Sequence, residues 1–181
     1  MSSSAGPLET PRLVLGRLDH SDIDALRGYR NDPEVARYQS WEAMSLAEAG
    51  DLVSSQASRE PGVPGEWCQF AVRLKADGRL IGDLGLFIDP GDARLGEVGF
   101  TFDRAYQGQG LASEALNALL GFAFDTLGLH RIKAVVDCRN ARAVRLLERL
   151  GFRREGHFIQ HAWFKGAWCD EYLYALLRAD W

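Results

Sequence analysis

A strand that passes through a glycine-rich loop directly into a long helix is the feature that most constrains this 181-residue chain. The strand is predicted over residues 96–102, glycines follow at positions 108 and 110, and an amphipathic helix is predicted over residues 110–127. Such a junction turns several backbone N–H groups towards one point at the positive end of a helix. Because glycine permits both close approach and unusual backbone angles, this arrangement is typical of a phosphate cradle.

The loop alone leaves two alternatives open, since glycine-rich turns before helices also occur for packing reasons. The amino acids of this segment exclude two better-known phosphate-binding motifs. A dinucleotide fingerprint requires a third glycine where this chain has Ser113, and a P-loop requires a Gly-Lys-Ser/Thr ending. A phosphate site of another kind is therefore one of the two remaining interpretations.

The rest of the chain predicts a mixed α/β domain. Residues 1–7 are expected to be a disordered tail, and residues 8–181 a single domain. Helices are predicted over residues 19–30, from residue 45 to the Pro/Gly cluster at 60–65, and over 140–150. Strands are predicted over residues 12–18, 67–74, 80–88, 96–102, 131–136, 154–163 and 171–177.

Composition excludes several classes of protein. A net charge of −4 disfavours nucleic-acid binding. No apolar run approaches the roughly 20 residues of a membrane span, and the first residues lack signal-peptide features, so we expect a cytoplasmic protein without a membrane partner. The three cysteines are scattered, which argues against a disulfide framework or a thiolate zinc site.

Four segments together resemble the GNAT acyltransferases. Residues 107–112, Gln-Gly-Gln-Gly-Leu-Ala, match the family signature Gln/Arg-x-x-Gly-x-Gly/Ala. Residues 9–15 look like the opening strand of the RimJ/RimL-like branch of that superfamily, and residues 140–152 resemble its second coenzyme-binding motif. Residues 168–177 look like the final strand of the same branch.

The resemblance implies a fold, a cosubstrate and a reaction. It implies a mostly antiparallel mixed sheet of about seven strands, splayed between the fourth and fifth strands and flanked by about four helices. Acetyl-CoA would lie in the gap and pass its acetyl group, in a ternary complex, to a primary amine on a small molecule or a peptide. Residues 19–58 would line the acceptor pocket. A homodimer and another acyl donor, such as succinyl-CoA, are compatible with the resemblance.

The resemblance also assigns residues to the coenzyme. The diphosphate is expected on the glycine-rich loop and the pantetheine arm along the strand before it. The expected contacts are Phe100, Thr101, Phe102, Gln107, Gly108, Gln109, Gly110, Leu111, Ala112, Ser113, Asn140, Ala143 and Arg145. The alternative for Asn140 is a helix N-cap, and Arg145, like the arginines at 139, 142 and 149, could belong to a solvated face.

Attack on a thioester requires a neutral amine, so a base is useful at neutral pH. Glu97 lies where related enzymes often have a base that acts through water. The alternative is that Glu97 is a surface carboxylate that stabilises the sheet. Glu171 and Asp170 are further candidates, and Asp170 could instead hold a turn. His157 and His161 could share a strand face, but two histidines are too few for a metal site, and no metal is predicted.

The proton donor for the leaving thiolate is where the chain departs from its family. Relatives commonly carry Ser or Tyr at the positions of Ala143 and Leu147. Tyr106 or Tyr174 could substitute, although Tyr174 also suits the core. A non-catalytic acyl-CoA-binding module therefore remains an alternative to the enzyme.

Overall fold

A computed structural model describes residues 6–181 of the chain, so residues 1–5 of the predicted tail lie outside the described residues. The described residues form eight strands and five α-helices. The strands are β1 (Leu8–Glu9), β2 (Leu13–Arg17), β3 (Trp67–Leu74), β4 (Leu80–Ile88), β5 (Leu95–Phe102), β6 (Arg131–Asp137), β7 (Arg153–Phe164) and β8 (Ala167–Leu177). The helices are α1 (Ile23–Arg30), α2 (Pro33–Ala36), α3 (Leu46–Gln56), α4 (Leu111–Gly121) and α5 (Ala141–Arg149).

The strands form one sheet in the order β1-β2-β3-β4-β5-β6-β8-β7. Every neighbouring pair is antiparallel except β5 and β6, which are parallel. Their pairing covers only three positions, from Leu95 opposite Arg131 to Glu97 opposite Lys133, after which the strands separate. The predicted mixed sheet with a splay is therefore confirmed, and the splay lies between the fifth and sixth strands because β1 adds one to the count.

The two faces of the sheet bury different helices because side chains alternate along each strand. Phe70 and Val72 of β3 belong to the larger core, which also contains α4 and α5 residues. Ala71, between them, belongs to a smaller core beneath α1 and α3. The sheet is thus a layer between two sets of helices, and the gap between β5 and β6 interrupts that layer.

Local signals explain where most elements begin. Ser45 and Glu48 form a capping box at the start of α3. Asp32 caps α2 through a hydrogen bond from the backbone of Glu34, with Pro33 at the first helical position. Helix α4 continues into a π-helical turn over Phe122–Thr126, which together cover the single helix predicted there.

Two short elements were missed and one hairpin is longer than predicted. Strand β1, of two residues, and helix α2, of four, were not predicted from the sequence. Strand β8 begins at Ala167 rather than 171, because a two-residue turn at Lys165 and Gly166, both with positive φ, joins it tightly to β7. No helix among the described residues has the length and apolar character needed to cross a bilayer.

A buried polar network joins α1 to β4. Asp83 accepts hydrogen bonds from the Tyr29 hydroxyl at 2.5 Å and from the Arg30 guanidinium at 2.8 Å. Only 2% of Asp83 and 8% of Arg30 are exposed. Burial, followed by the nearby Asp83 charge, raises the pKa of Tyr29 well above its usual value, so the phenol remains a donor. The network fixes α1 on the sheet.

Replacing Asp83 with Ala is expected to lower the free energy of unfolding by about 3–5 kcal/mol, because the Arg30 charge would remain buried without its carboxylate. Urea denaturation measures the loss. Asp51→Ala on the exposed face of α3 is the control and is expected to change stability by less than about 0.5 kcal/mol. Equal losses in the two variants would contradict a stabilising role for the buried pair.

Candidate functional site

The loop between β5 and α4 has the geometry of the predicted cradle. Gly108 and Gly110 have φ values of +75° and +77°, in the left-handed region that favours glycine. Gly110 is the N-cap residue of α4 and carries no side chain that could bond the first helical N–H groups. Ala112 and Ser113 lie in that first turn and are half-buried. The backbone donors of the turn are thus directed at the loop.

Side chains of the loop brace it rather than extend from it. The Gln107 side chain donates to the Phe102 carbonyl at 2.9 Å and accepts from Arg142 of α5 at 2.6 Å. Gln109 donates to a backbone carbonyl within the loop at 2.9 Å. Leu111 is 4% exposed and packs in the core. Backbone groups are therefore what these residues can offer a ligand, and Gln107 couples the loop to α5.

The separation of β5 and β6 opens a cleft of about 230 Å³. Three predicted coenzyme contacts line it, Phe100, Asn140 and Ala143. Thr101 and Phe102 are buried further along β5, where that strand pairs with β4. The remaining lining residues come from the segment before α3 and from strands β5, β6, β7 and β8: Tyr38, Gln39, Ser40, Val98, Gly99, Val135, Val136, Asp137, Ala162, Phe164 and Glu171.

Backbone groups of β5 face this cleft. In an antiparallel pair only alternate residues of one strand bond to the neighbouring strand. Because β5 pairs with β4 on one side and separates from β6 beyond Glu97, its other alternate N–H and C=O groups point into the gap. An extended ligand could bond to them as an added strand.

The side chain of Asn140 caps α5, and Asn140 also lines the cleft. Its Oδ1 accepts a hydrogen bond from the backbone N–H of Ala143 at 3.2 Å. Asp137, which precedes the same turn, accepts from the Arg139 backbone N–H, Nε and Nη2 at 2.8, 2.9 and 2.6 Å. Burial alone would raise the pKa of Asp137, but these hydrogen bonds outweigh it and lower the pKa. Asp137 is therefore an ionised anchor for the turn.

A strap, residues 36–41, contributes Tyr38, Gln39 and Ser40 to the lining of the cleft. The Arg139 guanidinium lies 5.9 Å from the Tyr38 ring centroid, and the Arg30 guanidinium lies 4.5 Å from the Trp41 ring. The Trp41 indole donates to the Arg30 carbonyl at 3.2 Å. Lys165, at the tip of the β7–β8 hairpin, donates to the Ala36 carbonyl. The strap is thus held from three directions.

Glu97 lies outside the main cleft. Its carboxylate is 3.2 Å from the Lys133 ammonium, at the last paired position before the strands separate. It lines a smaller pocket of about 90 Å³ with Phe87, Asp89, Leu95, Gly96, Arg131 and Lys133. Of the carboxylates considered as a base, Glu97 is therefore the one already paired with a lysine.

Glu171 and Asp170 have different surroundings on β8. Glu171 lines the cleft, and its Oε2 lies 2.5 Å from Nδ1 of His161. Asp170 accepts from the Gln160 backbone at 2.8 Å and lies 3.4 Å from Nε2 of His157. The two histidines thus have separate carboxylate partners, and Asp170 holds the β7 backbone. Within residues 6–181, no three His, Cys, Asp or Glu side chains converge on one point.

The two tyrosines considered as proton donors have partners elsewhere. The Tyr106 hydroxyl lies 3.0 Å from Arg79 Nη1, and Tyr106 does not line the cleft. Tyr174 is fully buried and donates to Glu148 of α5 at 2.9 Å. Burial, with the bond to Glu148, raises the pKa of Tyr174 to about 12. Arg145 is exposed on α5, one turn from the arginine that braces the loop.

The cleft-lining residues of the strap, 38–40, and Ala162 and Phe164 were not predicted from the sequence. The strap lies within the segment that the family resemblance implied for the acceptor pocket, but its residues carry no motif. Ala162 and Phe164 reach the cleft through the pairing of β7 with β8, which a single strand pattern does not specify. Long-range pairing therefore supplies two of the fourteen residues that line the cleft.

Comparison with known proteins identifies the family. The sequence profile described as acetyltransferase (GNAT) domain matches residues 12–153. An uncharacterised N-acetyltransferase, p20, of Bacillus licheniformis is 32% identical over 175 residues, which cover 96% of this chain and 97% of that protein. The [ribosomal protein uS5]-alanine N-acetyltransferase of Escherichia coli is 38% identical over 84 residues, 46% of this chain and 43% of that protein.

Solved structures agree in fold across nearly the whole chain. A GNAT-family acetyltransferase from Bacillus anthracis superposes with a TM-score of 0.85 at 28% identity, over 96% of this chain and 99% of that one. Spermidine N-acetyltransferase from Vibrio cholerae, in complex with CoA and spermine, gives 0.81 at 25% identity, over 94% and 98%. RimJ of Mycobacterium smegmatis, in complex with CoA-disulfide, gives 0.81 at 25%, over 95% and 86%. The chain therefore belongs to the GNAT family of acyl-CoA-dependent N-acetyltransferases, with ribosomal-protein acetyltransferases among its relatives.

Proposed function

We propose that the protein transfers the acetyl group of acetyl-CoA to a primary amine by direct attack within a ternary complex. The observation that carries the proposal is the continuity between the glycine-rich loop and the cleft. Helix α5 contributes Asn140 and Ala143 to the cleft and braces the loop through the 2.6 Å bond from Arg142 to Gln107. A ligand anchored by its phosphates on the loop could thus extend along α5 into the gap.

The donor half of the site would use mainly backbone. The diphosphate would accept hydrogen bonds from the N–H groups at Gly108 and the first turn of α4. The pantetheine arm would pair with the free edge of β5 near Phe100 and Phe102. A backbone N–H near Phe100 would polarise the thioester carbonyl, since a donor fixed in advance stabilises the developing oxyanion. Arg145 would add charge beside the phosphates.

The acceptor would reach the cleft from the side of the strap. The Glu171 carboxylate lines the cleft without an arginine or lysine partner among the ion pairs of residues 6–181, and its negative charge favours a cationic amine over an anion. Relatives support two acceptor classes, because one acts on the alanine of a ribosomal protein and another was solved with spermine bound. The proposed acceptor is accordingly a protein N-terminus or a small aliphatic amine.

One observation favours a second candidate, a non-catalytic acyl-CoA-binding module. Ala143 and Leu147, where relatives commonly carry a hydroxyl, are buried with exposures of 5% and 0%. We prefer the enzyme because thioester aminolysis can depend on positioning and need not require an acidic side chain. Thiol release in the presence of an amine separates the two candidates.

The first prediction from the proposed function concerns turnover. The purified chain is expected to bind acetyl-CoA in calorimetry and to release thiol when spermidine or a peptide with N-terminal alanine is added. NADH serves as the ligand control, because the loop lacks a dinucleotide fingerprint. Binding without release for any amine in a broad panel would favour the module, and failure to bind acetyl-CoA would contradict both candidates.

A second prediction tests the loop with a control of matched backbone geometry. Gly108 and Gly78 both have positive φ, +75° and +72°, and at each an added Cβ would meet no protein atom within 4 Å. Gly108→Val and Gly78→Val therefore impose similar strain. We expect Gly108→Val to weaken acetyl-CoA binding at least tenfold and Gly78→Val to leave the affinity unchanged. Equal affinities in the two folded variants would exclude the loop as the phosphate site.

A further inference from the structure

We infer that His161 and Glu171 form the pair that removes the proton from the acceptor ammonium, Glu171 inside the cleft and His161 towards solvent. The inference rests on the proposed function, since a proton must leave the amine before it can attack. It adds a catalytic side chain, Glu171, and a proton carrier, His161.

An irregular strand brings the two residues together. Along β7, Phe158 lies opposite Glu171 and Ala162 lies opposite Cys169, so that residues 159–161 face the single residue Asp170. Two extra residues therefore bulge from β7, and such bulges redirect side chains, often beside active sites. Through this bulge, Nδ1 of His161 lies 2.5 Å from Oε2 of Glu171.

The bulge contains a backbone conformation that is unfavourable for a residue with a side chain. Gln160 has φ of +48°, an unusual value for a residue with a side chain. Its backbone N–H donates to Asp170 Oδ1 at 2.8 Å, and this bond stabilises the turn. Strained backbone of this kind persists where surrounding contacts impose it and is concentrated at functional sites. The position of His161 is thus maintained by a dedicated contact.

The exposed fractions of the two side chains indicate the direction in which a proton would move. The Glu171 side chain is 18% exposed and lines the cleft, whereas the His161 side chain is 55% exposed. A proton accepted by Glu171 can therefore pass along the 2.5 Å contact to an imidazole that reaches water. The other carboxylate lining the cleft, Asp137, accepts three hydrogen bonds from Arg139 and is already compensated.

The charged groups around the pair are few. From β6 and its following turn, Asp137 and Arg139 face it as a compensated ion pair. On the hairpin itself, Asp170 is engaged with His157 and the bulge backbone. The cleft-lining residues of the strap, 38–40, are uncharged. Glu171 is therefore the carboxylate of the cleft without an arginine or lysine partner among the ion pairs of residues 6–181.

The reaction balances with these groups alone. The ammonium R–NH₃⁺ gives one proton to the Glu171–His161 pair, and the neutral amine attacks the thioester carbon to form the C–N bond. The C–S bond then breaks, and a second proton moves from the nitrogen to the departing sulfur. The products are the amide and CoA-SH, and His161 returns the first proton to water.

The test compares matched variants in steady-state kinetics with spermidine and an alanine-terminated peptide as amine probes. Glu171→Gln is expected to lower kcat/KM for the amine by about 100-fold or more, the usual contribution of a general base. His161→Ala is expected to lower it about tenfold, and added imidazole to recover part of the loss, since the side chain is half exposed. Neither change is expected to alter acetyl-CoA affinity in calorimetry, which also reports that the variants are folded.

Two controls make the result specific. His157→Ala removes the neighbouring histidine–carboxylate contact outside the cleft and is expected to keep wild-type kcat/KM without any response to imidazole. Glu97→Gln is expected to keep the wild-type pH–rate profile. In Glu171→Gln, the fall in rate on the acidic side of that profile is expected to disappear. If the wild-type protein turns over and Glu171→Gln has the same kinetics, the inference is overturned but the proposed function is not. The same holds if only Glu97→Gln loses the acidic limb of the pH–rate profile. A wild-type protein inert towards both probes and a wider amine panel would overturn the proposed function and this pair together.

Discussion

The three-position pairing of β5 with β6 is the constraint on which the rest of the site depends. Buried backbone N–H and C=O groups normally require partners, so two strands that separate within a sheet leave a row of groups that must be satisfied by something else. Here each strand keeps its other neighbour, because β5 pairs with β4 over seven positions and β6 pairs with β8 over seven. The sheet therefore stays intact on both sides of an opening about half a strand long. The free edges in that opening can hold an extended ligand.

Elements on both faces of the sheet converge on the opening. Helices α4 and α5 follow β5 and β6 along the chain. Their N-termini therefore lie near the carboxyl ends of these two strands, where the strands separate. On the opposite face, the Tyr29–Arg30–Asp83 network fixes α1, and Arg30 in turn contacts Trp41 of the strap. A buried ion pair is weak evidence for net stability, but it is effective at fixing an orientation. The donor and acceptor sides of the gap are thus built by separate sets of contacts.

Local chemistry explains what the sequence could predict. Strands β3 and β4 have the predicted bounds, because turn residues mark their ends, and the strand–loop–helix junction is predicted by local patterns and two glycines. Strand β1 and helix α2 were missed because two and four residues carry too little pattern. The bulge in β7 was missed for another reason. It depends on Asp170 reaching Gln160 across the hairpin, so neither strand shows it by itself.

The same reasoning explains why Glu97 was preferred as the base from sequence, whereas the inferred base is Glu171. Order along the chain locates Glu97 before the loop, but only the three-dimensional pairing reveals that Lys133 lies opposite it at the closed end of the splay. An acidic donor for the thiolate is equally hard to find. The hydroxyls of Tyr106 and Tyr174 are bonded to Arg79 and Glu148, and the pKa of Tyr174 is raised to about 12, chiefly by burial. Ala143 lines the cleft without a hydroxyl and Leu147 is buried in the core, so the simplest source of that proton is the attacking nitrogen itself. A chain of this design would accelerate the reaction by holding amine and thioester together in a gap between two strands, and by removing one proton through the hairpin.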